Sequence, residues 1–530
     1  METPLLASSP QDTPAQASPP AVTTGRRRST RRRILKAGLI GVPAVLAVGG
    51  AGFGIWYAVS DVDTVGRVDF TNPLAIPPLL TGRQEGGRQV FDLTASGGER
   101  QFRPGRATRT WGFDNGHLGP TLRARRGETV LVNVRNGLPE TTTVHWHGMH
   151  LPAAMDGGPH QPIRPGATWS PSWTIDQPAA TLWYHPHPHG RTARHVYRGM
   201  VGMFIVDDPA ASAARLPTRY GVDDIPVIVQ DKNFDRHNQL DDGYSRIADV
   251  GILGDTVLVN GTVGPYHEVT TERIRLRLLN ASPSRSYHFG LSDDRSFALV
   301  GTDGGLLPAP YATGRVQLSP GERAEIVVTM RPGERLVLRS YPPELGLDPL
   351  NSRITGGDDR LDVLELRAAD RLSPAPEPAA TLADPPRLGV DAATPVTRRF
   401  ELAGTSQING LTMDMGRIDF GVTRGTTEVW EVISPFPKPH NFHVHGTQFQ
   451  VLSVNGAPPP PELGGWKDTI YATPEVPMRL ALRFPEHTDR NLPFMYHCHV
   501  LLHEDKGMMG QFVVTEPGQT PGSPPHTDHN

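Results

Sequence analysis

The 530-residue sequence holds one cysteine, so no disulfide can form within the chain. It holds almost no net charge. Its 52 basic and 55 acidic residues leave −3, which excludes a nucleic-acid binder working through bulk positive charge. Methionine is scarce, at 12 residues, and none falls between 371 and 397. Beyond residue 60 no long amphipathic periodicity is found, which argues against coiled coils and helical solenoids. Turn-formers are plentiful instead, with 56 glycines and 53 prolines. That composition fits a β-rich chain, and the length allows about three or four domains.

The first 60 residues differ from the rest. Residues 1–25 are rich in Ala, Ser, Thr, Pro and Gln and are expected to be disordered. Arg26, Arg27, Arg28, Arg31, Arg32, Arg33 and Lys36 follow, and then an apolar stretch over 37–59 interrupted by Pro43. The run Thr30-Arg31-Arg32-Arg33-Ile34-Leu35-Lys36 resembles the bacterial twin-arginine export motif, which implies that translocation machinery as a partner. The competing reading is a basic cytoplasmic tail ahead of a membrane anchor. Both put the body outside the cytoplasm: periplasmic, secreted, or anchored on the outer face of the membrane. The body carries 45 basic against 53 acidic residues, or −8. An exported acidic body with a single thiol is no disulfide scaffold, so the thiol is expected to do another job.

Short β segments fill the body. Thr129–Val134, Gly202–Val206, Val227–Gln230, Ile274–Leu279, Ala324–Met330, Arg479–Phe484 and Gln511–Thr515 all read as strands. Asp207-Asp208-Pro209 ends one of them, and residues 371–397 are dense in Pro and Ala like a linker. The expected bodies are therefore 70–208, 209–370 and 398–516, each one β-sandwich, with 371–397 as linker and 517–530 as a mobile tail. His526 and His529 of that tail read as solvated.

Ten of the 21 histidines fall into four clusters: His145-Trp146-His147, His185-Pro186-His187-Pro188-His189, His440 with His443 and His445, and His497-Cys498-His499. Residues i and i+2 of a strand share a face, so each H-x-H pair offers two imidazoles to one metal or to neighbouring metals. One such pair is a weak signal; four in one exported chain are a strong one. Cys498 faces away from His497 and His499, so one strand serves two sites. His440, Cys498, His503 and Met508 fit the His₂Cys pattern with a weak axial Met, with Met509 as the competitor for the axial place. A buried structural cysteine is the alternative for Cys498.

These motifs resemble the bacterial multicopper oxidases of the laccase, cuprous oxidase and bilirubin oxidase type, from about residue 70 to 516. Asp156-Gly157-Gly158-Pro159, Gln230-Asp231-Lys232, Asp303-Gly304-Gly305, Gly446-Thr447-Gln448-Phe449 and Gly464-Gly465-Trp466-Lys467-Asp468-Thr469 carry the likeness between the copper motifs. The resemblance implies an all-β chain of three cupredoxin-like Greek-key sandwiches and four coppers. His440, Cys498, His503 and Met508 would hold a type 1 copper. His145 and His443 would hold a type 2 copper. His147, His185, His187, His445, His497 and His499 would hold a type 3 pair. The middle body would act as a spacer. Asp156 and Glu504 match acidic positions that supply protons to O₂ in relatives, against readings as a turn residue and as a surface charge or ligand-orienting group. His189, His150, His160 and His195 are read as structural.

The activity implied is one-electron oxidation of phenols or aromatic amines coupled to four-electron reduction of O₂, for which the donor needs only an exposed edge near His503 or His440. Two alternatives stand beside it: a cuprous oxidase for copper homeostasis, and a non-catalytic copper-binding cupredoxin-repeat protein. Pro435-Phe436-Pro437-Lys438-Pro439 offers no thioether or carboxylate for copper(I), and Met413-Asp414-Met415 reads as packing.

Overall fold

A computed structural model describes residues 61–484 and 486–525. The expected export signal or anchor, and His526 and His529, lie outside the described residues. The described chain is nearly all β, as expected. Its longest helix, Thr192–Arg198, has seven residues. Every segment read as a strand from sequence lies on or overlaps a strand, including Thr129–Asn136, Asp224–Lys232 and Met509–Thr515.

Six sheets pair into three sandwiches. In the first, Ala180–His185 lies between Gly202–Asp207 and His145–His147 in one sheet, while Arg88–Arg100 and Thr129–Asn136 run parallel in the other. The middle sandwich has a seven-stranded sheet centred on Asp224–Lys232, Arg273–Asn280 and Arg323–Thr329. In the last, Asp489–His497 sits between Met509–Thr515 and His440–Val444. The described chain starts along the middle sandwich: Asn72–Pro73 pairs with Pro265 and Tyr266, and only then does the backbone enter the first.

The apolar cores are distributed unevenly. The middle sandwich has its own, built on residues such as Ile274, Leu276, Phe289 and Ile326. The first and last share one continuous cluster, in which Trp146, Trp173 and Phe204 join Trp430, Phe442 and Phe512. Alternation along each strand gives every sandwich its apolar inner face. The Pro/Ala-rich stretch after Ser373 is not free, because Leu382 is buried against Val300, Leu306 and Val327.

Candidate metal centre

The seam between the first and last sandwiches gathers eight histidines, all buried. Strand register places them. His443 lies directly opposite His497, and His185 directly opposite His145, so the pairs face the same way. His440 is an odd number of residues from His443 and points to the other side, as expected.

The eight fall into groups whose donor atoms lie within 4.8 Å of one another: His147, His185 and His499; His187, His445 and His497; and His145 with His443 beside His147. In the second group the His497 Nε2 lies 3.2 Å from His187 Nε2 and 3.1 Å from His445 Nε2. Their Nδ1 atoms turn outward, His497 toward the Cys498 carbonyl at 3.2 Å and His445 toward Asp156 Oδ2 at 2.8 Å. Lone pairs therefore converge on one point, an arrangement that asks for a cation. His145 and His443 repeat the logic. Their Nδ1 atoms donate to the carbonyls of Asp156 and Asp468 at 3.0 and 2.8 Å, and their buried Nε2 atoms have no hydrogen-bond partner. Both ring nitrogens of buried His499 also lack one. Such outer partners fix the tautomer that leaves the other nitrogen open to metal.

Burial and mutual repulsion hold the rings of His147, His185, His187, His443, His445 and His497 neutral, well below the usual imidazole range. Burial brings His499 down to about 3. Neutral imidazole is the form that ligates metal.

Both acids sit against the nest. Asp156 holds His445, and its Oδ1 is 3.4 Å from His145 Nδ1. The glycine after it is obligatory: at φ 78°, a Cβ on Gly157 would lie 1.7 Å from the Val144 carbonyl oxygen. Glu504 is not at the surface. Its carboxyl oxygens lie 3.4 Å from His187 Nδ1 and 3.3 Å from His497 Nδ1, and burial pushes its pKa well up. Of the remaining histidines, His195 pairs with Glu140, His160 with Gln511, and His189 is exposed.

On the other side of the Cys498 strand, Cys498 Sγ is 3.7 Å from His503 Nδ1, and the rings of His440 and His503 are 5.0 Å apart. Burial pushes the thiol up to about 12, so only a bound metal would make it a thiolate at neutral pH. His497 pairs with Met509, which puts Met509 on the His497 face and leaves Met508 for the Cys498 side. Met508 is buried in the same cluster as Cys498, and the Cys498 N–H donates to its carbonyl at 3.1 Å.

Several supporting residues went unread in the sequence. Asn441 Oδ1 accepts from the His499 N–H at 2.6 Å while its amide donates to Pro320 O of the middle sandwich. Asp468 Oδ1 accepts from His147 Nε2 at 2.9 Å. Arg323 and Asp303 brace Asp468 in turn. The signposts containing Asp303 and Asp468 were the available signal.

The donor set suits copper: buried imidazoles and a lone buried cysteine. Multicopper oxidase family models match residues 95–211 and 383–518. The chain belongs to the multicopper oxidase family. Among its curated relatives, Cell division protein FtsP of Sodalis glossinidius is 39% identical over 83% of this chain and 92% of its own length. Cell division protein FtsP of Escherichia coli is 37% identical over 83% and 92%. The crystal structure of a laccase from Pediococcus acidilactici matches with a TM-score of 0.76 at 36% identity, over 84% of this chain and 94% of that one.

The relatives' names overturn the expected oxidation of phenols and aromatic amines, since they denote cell division. The geometry gives a physical reason. The exposed imidazole edge that such donors need is absent: His440 and His503 are buried, and their Nε2 atoms donate to the Gly404 and Asp249 carbonyls at 3.0 and 2.9 Å.

Proposed function

We propose that this protein is a copper-binding cupredoxin-repeat protein serving cell division on the extracytoplasmic side of the membrane. The supporting observation is its 37–39% identity, over most of both chains, to proteins named Cell division protein FtsP. The arginine-rich segment Thr30–Lys36 supports export by the twin-arginine route.

In this reading His440, Cys498, His503 and Met508 hold one copper and His145 and His443 a second. His147, His185 and His499 hold a third, and His187, His445 and His497 a fourth. The unpartnered buried nitrogens of His145, His443 and His499 support the assignment. When bound, copper supplies one-electron redox chemistry and a place for O₂. Asp156 orients His445 and His145. Glu504 keeps a proton at its carboxyl between His187 and His497. Deleting the gene in its host and measuring cell length tests the division role. Elongated cells, restored to normal length by the wild-type gene and by Cys498→Ser, are expected. Normal division in the deletion strain would sink it.

The complete donor set favours a second reading, an oxidase with a metal ion as donor. Four copper(I) ions would give four electrons to one O₂, which with four protons yields two waters. Oxygen uptake by copper-loaded protein fed copper(I) tests it; uptake no faster than with Cys498→Ser rejects it.

A further inference from the structure

Asp249 covers the Cys498 group from outside. It lies between the strands Asp224–Lys232 and Thr256–Val259, with φ of 51°, a left-handed conformation that Asp accepts more readily than most residues. Its carbonyl accepts from His503 Nε2 at 2.9 Å. Its carboxylate accepts from Thr405 Oγ1 at 3.2 Å, pairs with Lys506, and lies 4.0 Å from Lys438 Nζ. Thr405 follows Gly404, whose carbonyl caps His440 Nε2. Lys506 follows the helix Leu501–Asp505 that carries His503. One side chain thus ties together the two coverings, one over each imidazole.

The tie is built to come undone. The Asp249 side chain is 24% exposed and its Lys506 partner 31%, and ion pairs at such depth hold weakly. Tyr244 and Ile247, just ahead in the chain, are exposed apolar residues rather than core. The same loop borders a pocket of about 170 Å³, lined among others by Leu240, Tyr244, Ile252 and Leu502. Ahead of Asp249 the loop has space to shift into and little apolar packing, whereas Ala248, Val250 and Ile252 are buried and anchor its far end.

We propose that Asp249 is a latch: it holds the 241–252 loop and the Gly404-Thr405 turn closed over His503 and His440, and its release opens those imidazole edges to electron donors. The latch builds on the reading that copper binds here, yet it can be tested without copper. In the copper-free full-length chain, diethyl pyrocarbonate modification of His503 and His440 is followed by peptide mass. Asp249→Ala is expected to speed modification of both about tenfold or more, with His145 and His443 unchanged as internal references. Lys506→Met and Thr405→Val each cut one tether and give intermediate rates, and they serve if Asp249→Ala misfolds. Asp249→Glu restores slow modification. In copper-loaded protein under anaerobic conditions, hexaammineruthenium(II) gives one electron per copper(II), and bleaching of the blue absorption should speed up by a similar factor in Asp249→Ala. Unchanged modification in folded Asp249→Ala, Lys506→Met and Thr405→Val overturns the latch. A wild-type chain that takes up no copper overturns the copper reading alone.

Discussion

Arg323 grips Asp468 with both prongs of its guanidinium, Nη1 to Oδ1 at 2.7 Å and Nη2 to Oδ2 at 2.6 Å, in full burial. The same arginine donates to the Thr181 carbonyl, so it touches all three sandwiches. Asp468 passes the constraint on to His147. Gly148, at φ 86°, must be glycine here, because a Cβ would meet Asp468 Oδ2 at 2.5 Å. A buried pair of this kind is costly to break singly, since the survivor is left charged without a partner. Arg323→Met should therefore destabilise the fold by about 3–5 kcal/mol, read from urea unfolding. A loss under ~1 kcal/mol would mean that Asp468 finds another partner.

Asp156 is expected to act through the rings it holds. Asp156→Ala frees His445 Nδ1 and removes the 3.4 Å neighbour of His145 Nδ1. Removing partners of this kind typically weakens metal binding about 10–100-fold. Copper titration against a competing chelator measures it. Unchanged affinity with altered redox behaviour would instead assign Asp156 to proton movement.

Copper content should separate the two faces of the Cys498 strand. Cys498→Ser is expected to lose the blue absorption and one copper per chain while keeping the metal of the histidine nest. His443→Ala should do the reverse, because its Nε2 is an unpartnered donor of the nest and it points away from Cys498. Elemental analysis and visible spectra read both. Loss of the blue absorption in both variants would show that the sites do not fill independently.

Acid stability should depend on Glu325. Burial alone would raise its pKa, but Arg275 and Arg277 outweigh burial and bring it down to about 2. A depressed carboxylate adds stability above its unfolded value of 4.5 and loses it as pH falls from there through about 2. Glu325→Gln should flatten unfolding free energy against pH across that window, by up to roughly 3 kcal/mol at ~1.4 kcal/mol per unit. An unchanged acid limb would place the acid sensitivity elsewhere.

Strand positions and the gathering of the histidines were readable because both are periodic: H-x-H with parity fixes which side chains share a face, and alternating residues mark Thr129–Asn136 or Arg273–Asn280 as strands. The division of the nest into its groups was not readable, because it depends on the His443–His497 register between distant strands. Nor were Asp249 and Gly404, which act through backbone carbonyls that carry no residue signature. That is why the exposed donor edge expected from sequence is a covered one. Glu504 was recognised, but its depth was not, since one of its neighbours, His187, lies in a different sandwich far earlier in the chain.

The shared core of the first and last sandwiches also sets an order of events. Trp146 and Phe204 join the cluster that Trp430 and Phe512 complete, and His145 stacks on His445 with ring centroids 3.8 Å apart. A growing chain that has made only the first two sandwiches holds four of the eight nest histidines and part of that shared core. The histidine nest therefore comes into being only when Met509–Thr515 locks the His497 strand in place. On the copper reading, a chain whose last sandwich is out of register would have no complete pocket to fill, and copper content would report that the His443–His497 register had formed.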